Sequence, residues 1–166
     1  MRFFCFTLLL ILVFGCSKSN TEHLNLLDFV PKNTSIIIKT SNLESLSNSI
    51  SNSDFLNTIS EASFSEKIEQ KLKPISHLKS SNDLLICFSK EANDSLQYTV
   101  ITKYSTDLFI TDSLPNYTEE VLTYNNRSII KSTLHNNTFY SVIIDSTFFA
   151  SSSKTIVDDN GRESKG

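Results

Sequence analysis

The scarcity of glycine constrains this chain more than any other feature of its sequence. Gly15, Gly161 and Gly166 are the only three glycines among the 166 residues, so the body from residue 16 to residue 160 has none. Phosphate-binding loops need glycine so that the backbone can approach the phosphate, which excludes Walker A and dinucleotide-binding loops from this body. Its turns must instead use Asn, Asp and Ser, which favour turn conformations.

The composition predicts one folded domain without a nucleic-acid partner. Hydrophobic residues make up 39% of the chain and charged residues 20%, which is typical of a globular protein and too apolar for a disordered one. The formal net charge is −3. Proteins that bind nucleic acids usually present a basic surface, so we expect no nucleic-acid binding here.

The first 15 residues have the features of a secretion signal. Arg2 is followed by an apolar run through Phe14, which is shorter than the roughly 20 residues of a spanning helix. The run ends in Val13-Phe14-Gly15-Cys16, which resembles the bacterial lipobox. The resemblance implies cleavage between Gly15 and Cys16, a diacylglycerol on the Cys16 thiol and attachment to a membrane through acyl chains such as palmitate. A short membrane anchor and an ordinary secretory signal remain the alternatives.

The residues that follow Cys16 indicate where in the cell the protein would be located. Residues 16–24 form a polar segment, predicted to be a lipidated tether, in which Ser17 follows the cysteine. In proteobacterial lipoproteins that pattern implies sorting to the outer membrane. The acidic residues that often follow the cysteine of surface-exported lipoproteins are absent from Ser17-Lys18-Ser19-Asn20. The sequence therefore predicts a lipid-anchored envelope protein at the outer membrane, facing the periplasm.

Most of the helical spacing lies in the first half of the body. Ser41 and Glu44 match a capping box, which predicts the start of a helix over residues 42–50. A second short helix is predicted around residues 55–59. The clearest helix spans residues 61–73, where apolar residues recur every four positions and Pro74 ends the pattern.

Strand patterns dominate from Asp83 onward. Before them, Ser35–Lys39 is a β-branched run that predicts a buried strand. Asn125-Asn126 and Asn136-Asn137 predict two-residue hairpin turns without glycine. The predicted fold is α+β, with an N-terminal strand and two or three helices packed on an antiparallel β-meander. The predicted later strands are Asp83–Phe88, Leu96–Tyr104, Glu120–Tyr124, Arg127–Leu134, Thr138–Asp145 and Thr147–Ala150.

The α+β domain is predicted to span residues 25–158. Residues 151–159 begin with a helical pattern that contains Ile156 and Val157. Residues 159–166 contain no apolar side chain and predict a disordered tail. The alternative is that the reading frame stops inside a longer protein, of which this chain is an N-terminal fragment.

A family resemblance rests on two short phrases. Residues 28–39, Asp-Phe-Val-Pro-Lys-Asn-Thr-Ser-Ile-Ile-Ile-Lys, followed by Asn42-Leu43-Glu44, resemble the start of large uncharacterised lipoproteins of Flavobacteria and other Bacteroidetes. Residues 148–154, Phe-Phe-Ala-Ser-Ser-Ser-Lys, are similar to a later phrase of that family. The resemblance implies an α+β module, no defined activity and relatives that extend several hundred residues further.

No motif predicts catalysis, a cofactor or a metal site. His23, His77 and His135 are widely separated, and Cys87 lies in an apolar run typical of a core residue. Ser151-Ser152-Ser153-Lys154 superficially matches a Ser-x-x-Lys element, but a helix cap or turn is the better interpretation. Adjacent Glu119 and Glu120 would point to opposite faces of a strand and therefore could not share a cleft.

The sequence supports three functional hypotheses. The leading one is a non-enzymatic binding or scaffolding module, anchored through the lipid on Cys16, with an envelope protein or glycan as partner. The second is a periplasmic hydrolase of unfamiliar type that uses Ser, His and Asp. The third is a secreted adhesin or carbohydrate-binding module.

Overall fold

One antiparallel sheet dominates the described part of the chain. The computed structural model describes residues 25–51, 64–80, 82–90, 95–109, 114–124 and 127–163. Seven strands within these residues pair in the order β1-β2-β3-β7-β6-β5-β4. The strands are β1 Thr34–Thr40, β2 Leu84–Lys90, β3 Leu96–Lys103, β4 Tyr117–Tyr124, β5 Arg127–Leu134, β6 Asn137–Ile144 and β7 Thr147–Ser151.

The helices are short and lie on both sides of the sheet. The α-helices are α1 Leu43–Ser51, α2 Phe64–Leu72 and α3 Lys154–Glu163. Two 3₁₀ helices span Leu26–Phe29 and Lys73–Ile75. Asn25 caps the first of these by accepting a hydrogen bond from the Leu27 amide at 3.1 Å.

The predicted α+β fold class is wrong, because the described chain is mainly β. The helices hold nine, nine and ten residues, whereas the strands form a single seven-stranded sheet. The predicted N-terminal strand joins this same sheet as an edge strand beside β2. Ile36 and Ile37 are 38% and 48% exposed there, so β1 is not the buried strand that its β-branched run predicts.

The two faces of the sheet bury separate hydrophobic clusters. We call the face that carries Ile86, Phe88 and Tyr98 the front face; α1, α2 and the second 3₁₀ helix pack against it. The opposite face, the back face, carries Leu85, Cys87, Ile101 and Phe149. It is covered by the first 3₁₀ helix through Phe29 and by α3 through Ile156 and Val157. Side chains alternate between faces along a strand, which explains why β2 and β3 are buried on both sides.

Two hairpin turns lie within the described residues, and both use positive φ angles without glycine. His135 and Asn136 have φ values of 47° and 67° between β5 and β6, and Asp145 and Ser146 have 47° and 63° between β6 and β7. Such angles at both central residues define the tight turn that matches the twist of a hairpin. The predicted Asn136-Asn137 turn is therefore displaced by one residue, because Asn137 already pairs with Leu134.

Several predicted boundaries differ from the structure or lie outside it. Helix α3 continues through Glu163, past the predicted domain end at residue 158 and into the segment predicted to be a disordered tail. The signal at residues 1–15, the tether at 16–24, the helix around 55–59 and the Asn125-Asn126 turn all lie outside the described residues.

Candidate functional site

Among the described residues, the elements that cover the front face of the sheet extend over only part of its width. Helices α1 and α2 lie between β1 and β2 in the chain, and their buried side chains join those of β2 and β3 in the front cluster. On the other half, the front faces of β4, β5 and β6 form a groove beside the segment 104–109. Val121 and Ile143, which belong to this half, are 66% and 49% exposed. Exposed apolar side chains grouped on one face are characteristic of binding surfaces.

The groove has a volume of about 370 Å³, which is within the usual range for ligand sites. Its walls combine apolar side chains with hydroxyl groups. The residues that line it are Tyr104, Ser105, Thr106, Leu108, Phe109, Glu119, Ser128, Ile130, Ser132, Phe139, Ser141, Val142, Ile143 and Phe148.

Two aromatic rings that line the groove, Phe109 and Phe139, pack together with the neighbouring ring of Tyr117. Phe109 meets both Tyr117 and Phe139 edge to face, with ring centres 5.7 Å apart in each case. The segment that carries Phe109 is held by a bridge from Phe109 to Leu78 and by the Lys79 amide, which donates to the Leu108 carbonyl at 2.8 Å. Edge-to-face packing stabilises aromatic pairs beyond simple burial, so these contacts help to hold Phe109 beside the groove.

The floor of the groove is polar and contains small side chains. Ser132 and Ser141 are buried on β5 and β6, where a larger residue would fill the space. The Tyr117 hydroxyl lies 3.1 Å from the Ser132 Oγ and donates a hydrogen bond to the Glu119 carboxylate. Burial raises the pKa of the Tyr117 phenol, and its bond to Glu119 raises it further, so this group stays protonated and remains a donor.

Glu119 is the only charged residue among those that line the groove. No lysine, arginine, histidine or cysteine lies among the lining residues. The arrangement therefore suits an apolar ligand that also carries hydrogen-bonding groups or a positive charge. Sequence reasoning missed this site, since Ser132 and Ser141 are ordinary polar positions until the pairing of β5 with β6 places them together.

The serine run before α3 has a structural role. Ser151 Oγ donates to the Tyr98 carbonyl at 2.8 Å and accepts from the Ser153 amide at 3.2 Å. Ser152 Oγ accepts from the Tyr98 amide and donates to Gln97. Lys154 Nζ instead lies 5.4 Å from the centre of the Tyr124 ring. These bonds tie β7 and the start of α3 to β3, in agreement with the predicted cap or turn.

The adjacent glutamates do point to opposite faces, as predicted. Glu119 faces the groove, whereas Glu120 forms an ion pair on the back face with Lys131, whose Nζ lies 2.9 Å from its Oε2. His77 lies in the turn after the second 3₁₀ helix and His135 in the β5–β6 turn, both exposed. Within the described residues, no group of three or more His, Cys, Asp or Glu is placed to hold a metal ion.

Cys87 is a buried core residue, which confirms its predicted place. Burial raises the pKa of its thiol to about 11, with the neighbouring Thr34 hydroxyl opposing the shift. A neutral buried thiol is a poor nucleophile. Cys16 and His23 lie outside the described residues. None of the helices in the described ranges is long and apolar enough to cross a bilayer.

The fold and the groove together define a class: an antiparallel sheet with helices on both faces and, in the part of the chain that the structure describes, a groove on its front. Comparison with known proteins adds no family to that class. No protein-family model, no curated protein and no solved structure matches the chain. The resemblance to flavobacterial lipoproteins therefore stays a prediction from the residues quoted for it.

Proposed function

We propose that this protein is a lipid-anchored envelope protein that acts by binding, with the groove on the front face as its binding surface. The observation that carries the binding role is the groove itself: aromatic and aliphatic walls around serine hydroxyls, with exposed Ile143 at its margin. Concave, mainly apolar surfaces with a few placed polar groups are the usual form of ligand sites.

The anchor in this proposal is Cys16. A lipobox-like phrase ends an apolar run of signal length at this residue, and several acyl chains on one cysteine give durable membrane attachment. Described structure begins at Asn25, nine residues further along the chain. An extended chain of that length spans roughly 30 Å, which would hold the domain close to a bilayer while leaving the groove accessible.

Metabolic labelling with a palmitate analogue tests the anchor. We expect the full chain, expressed in a bacterial host, to incorporate the label and sediment with membranes. Cys16→Ser should abolish both, whereas Cys5→Ser and Cys87→Ala should retain both, because Cys5 belongs to the predicted signal and Cys87 is buried. Labelling that persists in Cys16→Ser would refute the anchor.

Site-specific photo-crosslinking tests the groove. A photoreactive amino acid replaces Ile143 at the groove or, as a matched control, Ile37 on β1; the two side chains are 49% and 48% exposed. We expect a discrete adduct in living cells from position 143 and none from position 37. Equal adducts from both positions, or none from either, would contradict a binding role for the groove.

A further inference from the structure

Strand β4 is an open edge beside the groove. Among the described residues, β5 is the only strand that pairs with β4. Tyr124 and Arg127 pair across a two-residue connection, as Leu134 and Asn137 do at the next turn. In such hairpins the pair beside the turn exchanges both backbone hydrogen bonds, and the pattern alternates along the strand. The backbone amides and carbonyls of Glu119, Val121 and Thr123 therefore point away from β5.

The two edges of the sheet differ in how well they could accept another strand. β1 has an irregular register between Thr34 and Ile36, which is a common device for discouraging edge pairing. β4 pairs in regular register along all eight of its residues. Val121, near the middle of this edge, is 66% exposed. A regular edge with an exposed apolar centre is a template for strand addition.

The charge of this edge indicates which strand would fit. The residues whose amides point outward also face the front of the sheet, so an added strand would place alternate side chains at the groove. Glu119 is the one charge there, and no described groove residue neutralises it with a cation. On the back face, Glu120 is already paired with Lys131. An incoming strand with basic residues opposite Glu119 and apolar residues opposite Val121 would complement both.

The same charges disfavour a second copy of this chain. Antiparallel pairing of β4 with its own copy would add two further glutamates and no cation, because β4 contains no lysine or arginine. Like charges on facing strands are destabilising. The occupant that suits the edge is therefore a different, basic chain.

We propose that β4 binds an extended basic peptide segment of a partner protein as an eighth strand, with alternate side chains of that segment in the groove. Main-chain hydrogen bonds to Glu119, Val121 and Thr123 supply the affinity, and the Glu119 carboxylate selects lysine or arginine. This assignment rests on the proposed function, because it names the class of ligand that the groove takes.

Amide exchange measured by NMR tests the proposal on the full chain extracted in mild detergent. The probe, called here the valine–lysine peptide, is a capped seven-residue peptide of sequence Thr-Lys-Thr-Val-Thr-Lys-Thr. Its lysines and valine share one face, so a lysine can lie opposite Glu119 while the valine lies opposite Val121. We expect saturating peptide to slow exchange of the amides of Glu119, Val121 and Thr123. The amides of Thr118, Glu120 and Leu122, which are bonded to β5, should change little. Protection that lacks this alternation, or none, would overturn strand addition.

Two altered peptides separate charge from backbone pairing. A valine–glutamate peptide of the same length should bind at least about tenfold more weakly, because it meets Glu119 with like charge. A fully N-methylated valine–lysine peptide keeps its charge but cannot donate backbone hydrogen bonds, so we expect it not to bind. If the methylated peptide binds as well as the unmethylated one, strand addition is refuted, while the groove can still be a binding surface. Equal binding of the glutamate peptide would overturn the basic-partner assignment.

Surface variants complete the test without disturbing the core. Val121→Lys should weaken the valine–lysine peptide about tenfold or more, by placing a cation at the centre of the edge. Glu119→Gln should weaken it roughly two- to fivefold, the range of one exposed ion pair. Glu66→Gln on α2 removes an equal charge elsewhere and should leave binding unchanged. If all three variants bind alike, the proposal fails even when the crosslink at position 143 forms.

Discussion

Ser151 Oγ donates a hydrogen bond to the carbonyl of Tyr98 at 2.8 Å, across the junction of β7 and β3. Both residues are buried, at 0% and 1% exposure, and the Thr99 hydroxyl donates to the same Ser151 oxygen at 3.2 Å. This junction joins strands that lie about fifty positions apart in the chain. The buried Ser151 hydroxyl bonds to the Tyr98 carbonyl, the Thr99 hydroxyl and the Ser153 amide, and so links the central strands of the sheet.

Ser151→Ala should lower the free energy of unfolding by about 1–3 kcal/mol. The change deprives the buried Thr99 hydroxyl of its acceptor and removes a buried hydrogen bond. Urea denaturation checks this through the transition midpoint. Ser128→Ala, at an exposed position of the groove, serves as control and should alter stability by less than about 0.5 kcal/mol. Equal losses in the two variants would contradict a structural role for Ser151.

Truncation of two adjacent residues on β6 should affect stability to very different extents. Val142 is 8% exposed in the back cluster, so Val142→Ala should reduce the free energy of unfolding by about 2 kcal/mol. Ile143 is 49% exposed at the groove, so Ile143→Ala should change it by less than about 0.5 kcal/mol although more atoms are removed. Thermal unfolding of both variants distinguishes this register from one displaced by a single residue, for which the order would reverse.

Ser146→Gly should stabilise the β6–β7 hairpin. Ser146 has a φ of 63°, a conformation that is unfavourable for serine and accessible to glycine without strain. We expect a gain of about 0.5–1 kcal/mol in the free energy of unfolding. Asn136→Gly, at a φ of 67°, should gain less, because asparagine tolerates this region. A loss of stability in Ser146→Gly would show that the turn is not of the positive-φ type.

Stability should fall above about pH 9 in a way that depends on Cys87. Burial raises the pKa of this thiol from 9.0 to about 11 in the folded chain. Below pH 9 the thiol is protonated in both states; between pH 9 and 11 it ionises in the unfolded chain alone, which favours unfolding. As the pH rises, the free energy of unfolding of the natural chain should therefore fall relative to that of Cys87→Ala. Urea midpoints from pH 8 to pH 10.5 measure it, and a constant difference would refute the shift.

The sequence predicts local elements far better than their assembly. Arg127–Leu134 is the β5 strand with identical bounds, and the four-residue spacing of Ile68 and Leu72 marks α2. The predicted fold class was wrong because hydrophobic periodicity does not indicate which strands pair with each other. Nothing in Ser35–Lys39 shows that this strand pairs with β2 at an edge of the sheet. Long-range pairing, rather than local propensity, made the chain mainly β.

The groove was still less accessible to sequence reasoning. It depends on which half of the sheet α1 and α2 cover, and that follows from tertiary packing. The β5–β6 turn illustrates how small a local error can hide a site. Placing it at Asn136-Asn137 instead of His135-Asn136 changes the partner of each β5 residue by two positions. Ser141 would then lie opposite Ser132 instead of Ile130.

The pairing of β3 with β7 also governs the time course of folding. The hairpins β4–β5, β5–β6 and β6–β7 each close over two residues and can form within microseconds, whereas β3 must wait for a strand synthesised some forty residues later. The central pairing of the sheet, between β3 and β7, cannot be complete until Ser151 has emerged from the ribosome. The nascent chain therefore cannot complete its sheet until β7 has been synthesised.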